Sequence, residues 1–156
     1  MYPPSNSPLH LEVGQSTWTP PAVAYDAIWS LTGDEPVVAS CCQRTPEGAS
    51  GDFIAFAVTP TRLVRVVVEG EDADRGELIA ADSYWLADSR SMHVLRVRER
   101  RTGEGRGWSA DYEVVFGDVP VELPRATESG FDDERRRIEL ITSAVRDARC
   151  GGGAAS

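Results

Sequence analysis

Few side chains in this sequence are suited to making and breaking bonds. There are two histidines, His10 and His93, and three cysteines, Cys41, Cys42 and Cys150. Acid–base catalysis needs a titratable group within reach of the proton it moves. His93 with Asp82 or Asp88 is the one such pair that can be assembled, and an ordinary strand histidine is the simpler account. No GxSxG, HExxH or phosphate-binding glycine loop occurs. We assign no catalytic residue. Adjacent Cys41 and Cys42 in a strand point to opposite faces and cannot share one metal comfortably. They read as small semi-buried residues. The odd count without a CxxC pair fits a reducing compartment. Glu69, Glu71, Asp72, Asp74 and Glu77 invite a calcium loop, which needs oxygen ligands at alternating positions. Counted from Asp72, Gly76 stands where the third ligand belongs, so the run reads as a solvated loop. No metal and no cofactor is expected.

The basic residues are more informative. All 16 are Arg, so each is a planar fork suited to carboxylates, and none titrates near neutral pH. The net charge of -9 opposes non-specific attraction to nucleic acid and to anionic lipid. The densest basic stretch holds Arg96, Arg98, Arg100, Arg101 and Arg106. At alternate strand positions it could take nucleic acid or an acidic peptide. It could also be neutralised across a hairpin. Pairing Arg101 with Trp108 puts Arg98 opposite Asp111 and Arg96 opposite Glu113. The same register puts Leu95 opposite Val114 and Val97 opposite Tyr112 on the inner side. We favour that ladder because it also accounts for the acids. Arg96, Arg98 and Arg100 are then the basic candidates for partner contact. Trp18 and Trp29 are the aromatic ones, although core packing is the ordinary role of Trp.

The elements that must position these residues follow from pattern and punctuation. Residues 1–17 read as a flexible arm, with a short β-like stretch at Leu9, Leu11 and Val13. Residues 18–149 read as one domain. Thr19 with Pro20 and Pro21 starts a helix over about 20–32, with Val23, Ala27, Ile28 and Leu31 on one face and Gly33 as its stop. Pro36 to Arg44 is a first strand. Phe53 to Val58 and Leu63 to Val68 flank Thr59 to Arg62 as a central hairpin. Gly70 to Gly76 is an acidic loop. A fourth strand lies within Glu77 to Leu86, and Asp88 to Ser91 is a turn. Met92 to Arg101 and Trp108 to Phe116 flank the glycine-rich loop Thr102 to Gly107. Val119 to Leu123 is a seventh strand, at an edge because of Pro120. A helix closes the chain over about 132–148. Asp132 caps it, Phe131 packs back on its first turn, Arg146 and Arg149 sit near its end, and Ile138, Ile141 and Val145 form its inner stripe. Leu140, Ala144 and Ala148 widen that stripe, and residues 150–156 are a disordered tail. There is no leader pattern and no run of ~18 apolar residues, so the protein is expected in the cytoplasm with no membrane insertion. Arg-only usage with abundant Ala and Gly suggests a high-GC bacterial, actinobacterial source.

The central hairpin reads Phe56-Ala57-Val58-Thr59-Pro60-Thr61-Arg62-Leu63-Val64. With seven strands followed by one amphipathic helix, the chain resembles the bacterial pleckstrin-homology-like (PH-like) domains over about residues 34–148. The resemblance implies a mainly β, α+β fold. Seven antiparallel strands form a partly closed barrel capped by the C-terminal helix, here with an extra N-terminal helix. A different small β-barrel, or an α+β sheet with two helices, shares that element order. Phosphoinositide-binding relatives build a phosphate pocket at the first hairpin. Here the loop from Thr45 to Asp52 has no basic residue, and Arg44, Arg62 and Arg65 beside Glu47 and Asp52 are expected to pair on the surface. The resemblance implies a non-enzymatic binding or regulatory module that takes a protein or peptide at a sheet edge beside the C-terminal helix. The alternatives are a self-associating or complex-subunit protein using the N-terminal helix, a homo-oligomer included, and a small-ligand-binding barrel or enzyme.

Overall fold

A computed structural model describes residues 21–45, 51–72, 75–102, 105–125 and 132–154. In chain order the elements are α1 (Ala22–Thr32), β1 (Ala39–Arg44), β2 (Phe53–Val58), β3 (Arg62–Asp72) and β4 (Arg75–Trp85). A 3-10 turn (Leu86–Asp88), β5 (Ser89–Thr102), β6 (Gly105–Phe116), β7 (Val119–Glu122) and α2 (Asp132–Ala154) follow. The fold is mainly β, with all seven expected strands and both helices. The strands do not close one barrel. They divide into a four-stranded sheet, β1-β2-β3-β4, and a three-stranded sheet, β5-β6-β7. The physical break is the turn at Leu86–Asp88, which interrupts the extended backbone between β4 and β5. Contacts group the chain into two compact units, Met1–Tyr84 and Trp85–Ser156.

In the first unit the continuous apolar runs of β2 and β3 lack the alternation of a half-exposed strand. That is the pattern of strands covered on both faces, and both faces are buried. One carries Phe53, Ala55, Ala57, Val64, Val66 and Val68, with Cys42 from β1, and clusters with Ala24 and Ile28 of α1. The other carries Phe56, Val58, Leu63 and Val67, with Ala39 and Cys41. Cys41 and Cys42 therefore face opposite ways.

Helix α1 is tied down at both ends. Thr19 lies outside the described residues. The helix is capped by Pro21, which makes no side-chain capping bond, and whose carbonyl accepts the Ala24 N–H at 2.9 Å. A Cβ on Gly76 would meet the Pro21 ring, so β4 starts hard against this end. Gly33, at φ 61, closes the other end and donates its N–H to the Trp29 carbonyl at 3.1 Å.

The ladder runs further than sequence pattern indicates. The segment read as an acidic loop is mostly strand: β3 reaches Asp72 and β4 begins at Arg75. Gly70 there adopts φ 140 and donates its N–H to Asp52 Oδ2 at 2.7 Å.

In the second unit β6 is central. Pro120 pairs with Val115 in β7, at the sheet's end as a residue without an N–H requires. The buried stripe of α2 is Ile138, Ile141 and Val145, whereas Leu140 is exposed. Helix α2 continues to Ala154, through residues read as a tail. Asp132 is its first residue, and Phe131 lies outside the described residues.

Two glycines give a matched stability test. At Gly51, φ is 82 and an added Cβ would lie 2.6 Å from Val67 Cγ1 and 3.1 Å from the Val68 carbonyl oxygen. At Gly117, φ is 62 and nothing lies within 4 Å. Gly117→Ala should cost about 1–2 kcal/mol from backbone strain alone. Gly51→Ala should cost roughly 2–4 kcal/mol, because overpacking adds to strain. The two urea midpoints, compared with the parent's, check the order.

Candidate functional site

His93 is exposed on β5, with its Nε2 3.0 Å from Ser91 Oγ. Glu113 stands opposite it in the strand register. His10, Glu47 and Asp74 lie outside the described residues, as does the Cys150 side chain. No group of three or more His, Cys, Asp or Glu among the described residues could hold a metal ion.

The three Arg residues weighed as a phosphate site have separate neighbours. The Arg44 guanidinium lies 5.4 Å from the centre of the Phe53 ring. Arg62 Nε is 3.2 Å from Glu35 Oε1, and its Nη1 donates to the Leu31 carbonyl at 2.6 Å. Thr61 Oγ1 donates to the same Glu35 carboxylate at 2.7 Å. Arg65 lies near Tyr84. Burial, and secondarily the negative charge of Asp82, pushes the Tyr84 phenol above its ordinary value of 10.0, while Arg65 acts in the opposite sense. Of the three, Arg62 ties β3 to the end of α1 and to Glu35.

Strand β5 carries the Arg residues singled out from sequence. It ends the order β5-β6-β7 and touches α2. Its pairing differs from the register expected from the charge pattern. Arg96 stands opposite Asp111, Arg98 opposite Ser109, Arg100 opposite Gly107 and Arg101 opposite Arg106. The cause is that β5 and β6 pair out to Thr102 and Gly105, through residues read as loop. A second shift comes from an irregularity between Val94 and Arg96, where Leu95 is the extra residue. Val94 then stands opposite Tyr112 and Val97 opposite Ala110, replacing the expected pairs Leu95–Val114 and Val97–Tyr112.

The bulge resolves a conflict of phase. In Met92-His93-Val94-Leu95-Arg96-Val97 the apolar positions switch from even to odd at Val94 and Leu95. The extra residue restores Met92, Val94 and Val97 to the side of β6 that carries Val114, Tyr112 and Ala110. The Arg146 guanidinium of α2 lies 5.8 Å from the Tyr112 ring centre on that side. Val94 and Val97 are each 57% exposed and Leu95 47%, so they are not inner residues of a hairpin. A groove of about 130 Å³ beside them is lined by Leu95, Arg96, Asp111, Tyr112, Glu122 and Arg125, among others.

Of the residues singled out from sequence, Arg96 is exposed in this groove. Arg98 and Arg100 occupy the next alternate positions of β5, and their side chains lie outside the described residues. Trp29 is half-buried against the core of the first unit, away from β5 in the chain, and Trp18 is outside the described residues. Sequence reasoning missed Val94, Leu95 and Val97 as surface residues. The broken alternation at Val94-Leu95 was the signal that could have found the bulge. No family model matches the chain, and no curated protein does.

Tyr84 supplies a test of the polar cluster. Its folded value is raised, so its contribution to stability is fully present below the unfolded phenol range near pH ~10. That contribution is lost as pH rises through the folded value. An absorbance titration should show a phenol ionising above the ordinary Tyr value of 10.0, and Tyr84→Phe should remove that step. Arg62→Lys keeps the charge but not the fork, and should lower the unfolding free energy by about 1–2 kcal/mol in urea titrations.

Proposed function

We propose that this chain is a non-enzymatic, PH-like binding module that takes an extended protein or peptide segment at the β5 edge beside α2. The supporting observation is the exposure of Val94, Leu95 and Val97 on a strand at the end of its sheet, next to a helix. An edge strand leaves a row of backbone donors and acceptors for an added strand, whose side chains supply specificity. Exposed apolar residues grouped on such an edge mark a contact surface. The groove, at about 130 Å³, is small beside the roughly 300–1,000 Å³ of metabolite pockets. It suits one or two side chains of an extended segment. Seven strands followed by a helix, with Phe56 to Val64 at the β2–β3 turn, support the family resemblance. The extra helix α1 serves the core of the first unit.

An array of random peptides of about ten residues, the upper length of ordinary strands, tests the edge. Peptides that bind should perturb backbone amide resonances of β5 and α2 in the full chain. Leu95→Asp should weaken them at least about fivefold while changing stability by less than ~1 kcal/mol, as expected of a half-exposed position. Perturbations confined to residues 21–84, or no binder across the array, would remove the proposal.

A further inference from the structure

The two-residue displacement of the β5–β6 register has a consequence for charge. The expected ladder would have set Glu113 and Asp111 against Arg96 and Arg98. In the structure Asp111 stands opposite Arg96, and Arg98, Arg100 and Arg101 stand opposite Ser109, Gly107 and Arg106. Between Val94 and Thr102 the strand carries four Arg and one acid, Glu99. Beyond Asp111, the register thus sets no acidic residue of β6 opposite these Arg positions, within a chain of net charge -9.

We infer that the β5 edge selects an acidic extended peptide, with carboxylates spaced two residues apart opposite Arg96, Arg98 and Arg100 and an apolar residue opposite Val97. This rests on β5 being the binding edge. Residues directly opposite in a sheet interact most strongly, and opposite charges there are favourable. A strand laid on the free edge of β5 meets β5's own residues as those neighbours, so the Arg positions set its charge. Val97, with Val94 beyond the bulge, sets apolar positions on the other side, where Glu99 takes the next place. A second copy fits worse, because centring β5 on itself at Val97 sets Arg96 against Arg98. Nucleic acid fits worse as well, because it brings no peptide backbone to pair with the strand edge and its bases find no aromatic platform among Val94, Leu95 and Val97.

The test uses the full chain and labelled peptides of about ten residues, alternating Glu/Val, Gln/Val or Lys/Val, with an oligothymidylate of similar length. Affinity is read by fluorescence anisotropy in about 50 mM salt, where charge pairing is weakly screened, and location by amide exchange. The Glu/Val peptide should protect β5 amides, bind at least about tenfold tighter than Gln/Val, and weaken with added salt. R96Q/R98Q/R100Q should bring Glu/Val down to the level of Gln/Val. Arg96→Gln alone should cost about threefold, which keeps the test valid should the triple variant fold poorly. Equal binding of Glu/Val and Gln/Val with β5 protected would overturn the acidic preference and leave the edge standing. No β5 protection by any peptide would remove the edge reading itself. Protection of β5 by the oligonucleotide alone, or by raised protein concentration alone, would overturn the inference in favour of nucleic acid or of self-pairing.

Discussion

A hairpin buried on both faces has no solvent for its polar groups, so they must be satisfied where the strands end. This constraint governs β2 and β3 and, through them, the placing of α1. At the turn, Thr59 Oγ1 accepts the Arg62 N–H at 3.0 Å, and the Thr59 N–H is donated to the Arg62 carbonyl at 2.9 Å. The Arg62 side chain then turns outward to Glu35 and to the Leu31 carbonyl at the end of α1. The ion pair is partly exposed, with side chains at 29% and 25%, so screening limits its Coulomb share. The charged hydrogen bond to a helix-terminal carbonyl, worth about 1.5–3 kcal/mol, is the stronger part. At the opposite end Thr45 Oγ1 donates to the Gly51 carbonyl, and Asp52 N–H to the Val68 carbonyl. One hairpin thus fixes both the helix and the first strand.

Continuous apolar runs made β2 legible to the residue, and an i, i+3, i+7 stripe made the inner face of α2 legible. The ends of elements were not. Residues 69–72, 75–77 and 105–107 are acidic, basic or Gly, and single-residue preference argues against strand. They are strand because the ladder, once in register, continues wherever the neighbour's backbone is available. Cooperative backbone pairing of this kind leaves no mark in side-chain pattern. The C-terminal glycines of α2 pose the same problem, since the helix continues through residues that disfavour it locally.

The β5–β6 hairpin shows why a plausible register can be wrong by a definite amount. Matching charges across the strands satisfied both faces on paper, because moving a pair by two residues keeps each side chain on its face. Charge could therefore not choose between registers of equal parity, and the point where strand pairing begins near the tip decided it. The bulge at Leu95 was a separate matter. Val94 and Leu95 are adjacent apolar residues in an otherwise alternating run, and only an extra residue keeps both halves of the strand on one side. Forcing a single register across that point paired Leu95 with Val114, whereas Val97 keeps its face and is nonetheless exposed.

An edge strand that exposes three aliphatic residues would ordinarily invite pairing with copies of itself. Natural sheets suppress this with charge at the edge and with bulges that bend it. β5 has both, in Arg96, Arg98 and Arg100 and in the irregularity beside Leu95. The same Arg residues act in opposite senses on different partners. At the proposed site they would penalise an Arg-bearing strand and favour a carboxylate-bearing one, so discrimination would arise from the difference between the two and not from the strength of either contact. Because β6 supplies so little opposing charge beyond Asp111, that difference is not dissipated inside the hairpin. The register that defeated the charge-ladder reading is therefore also what the inferred acidic preference rests on.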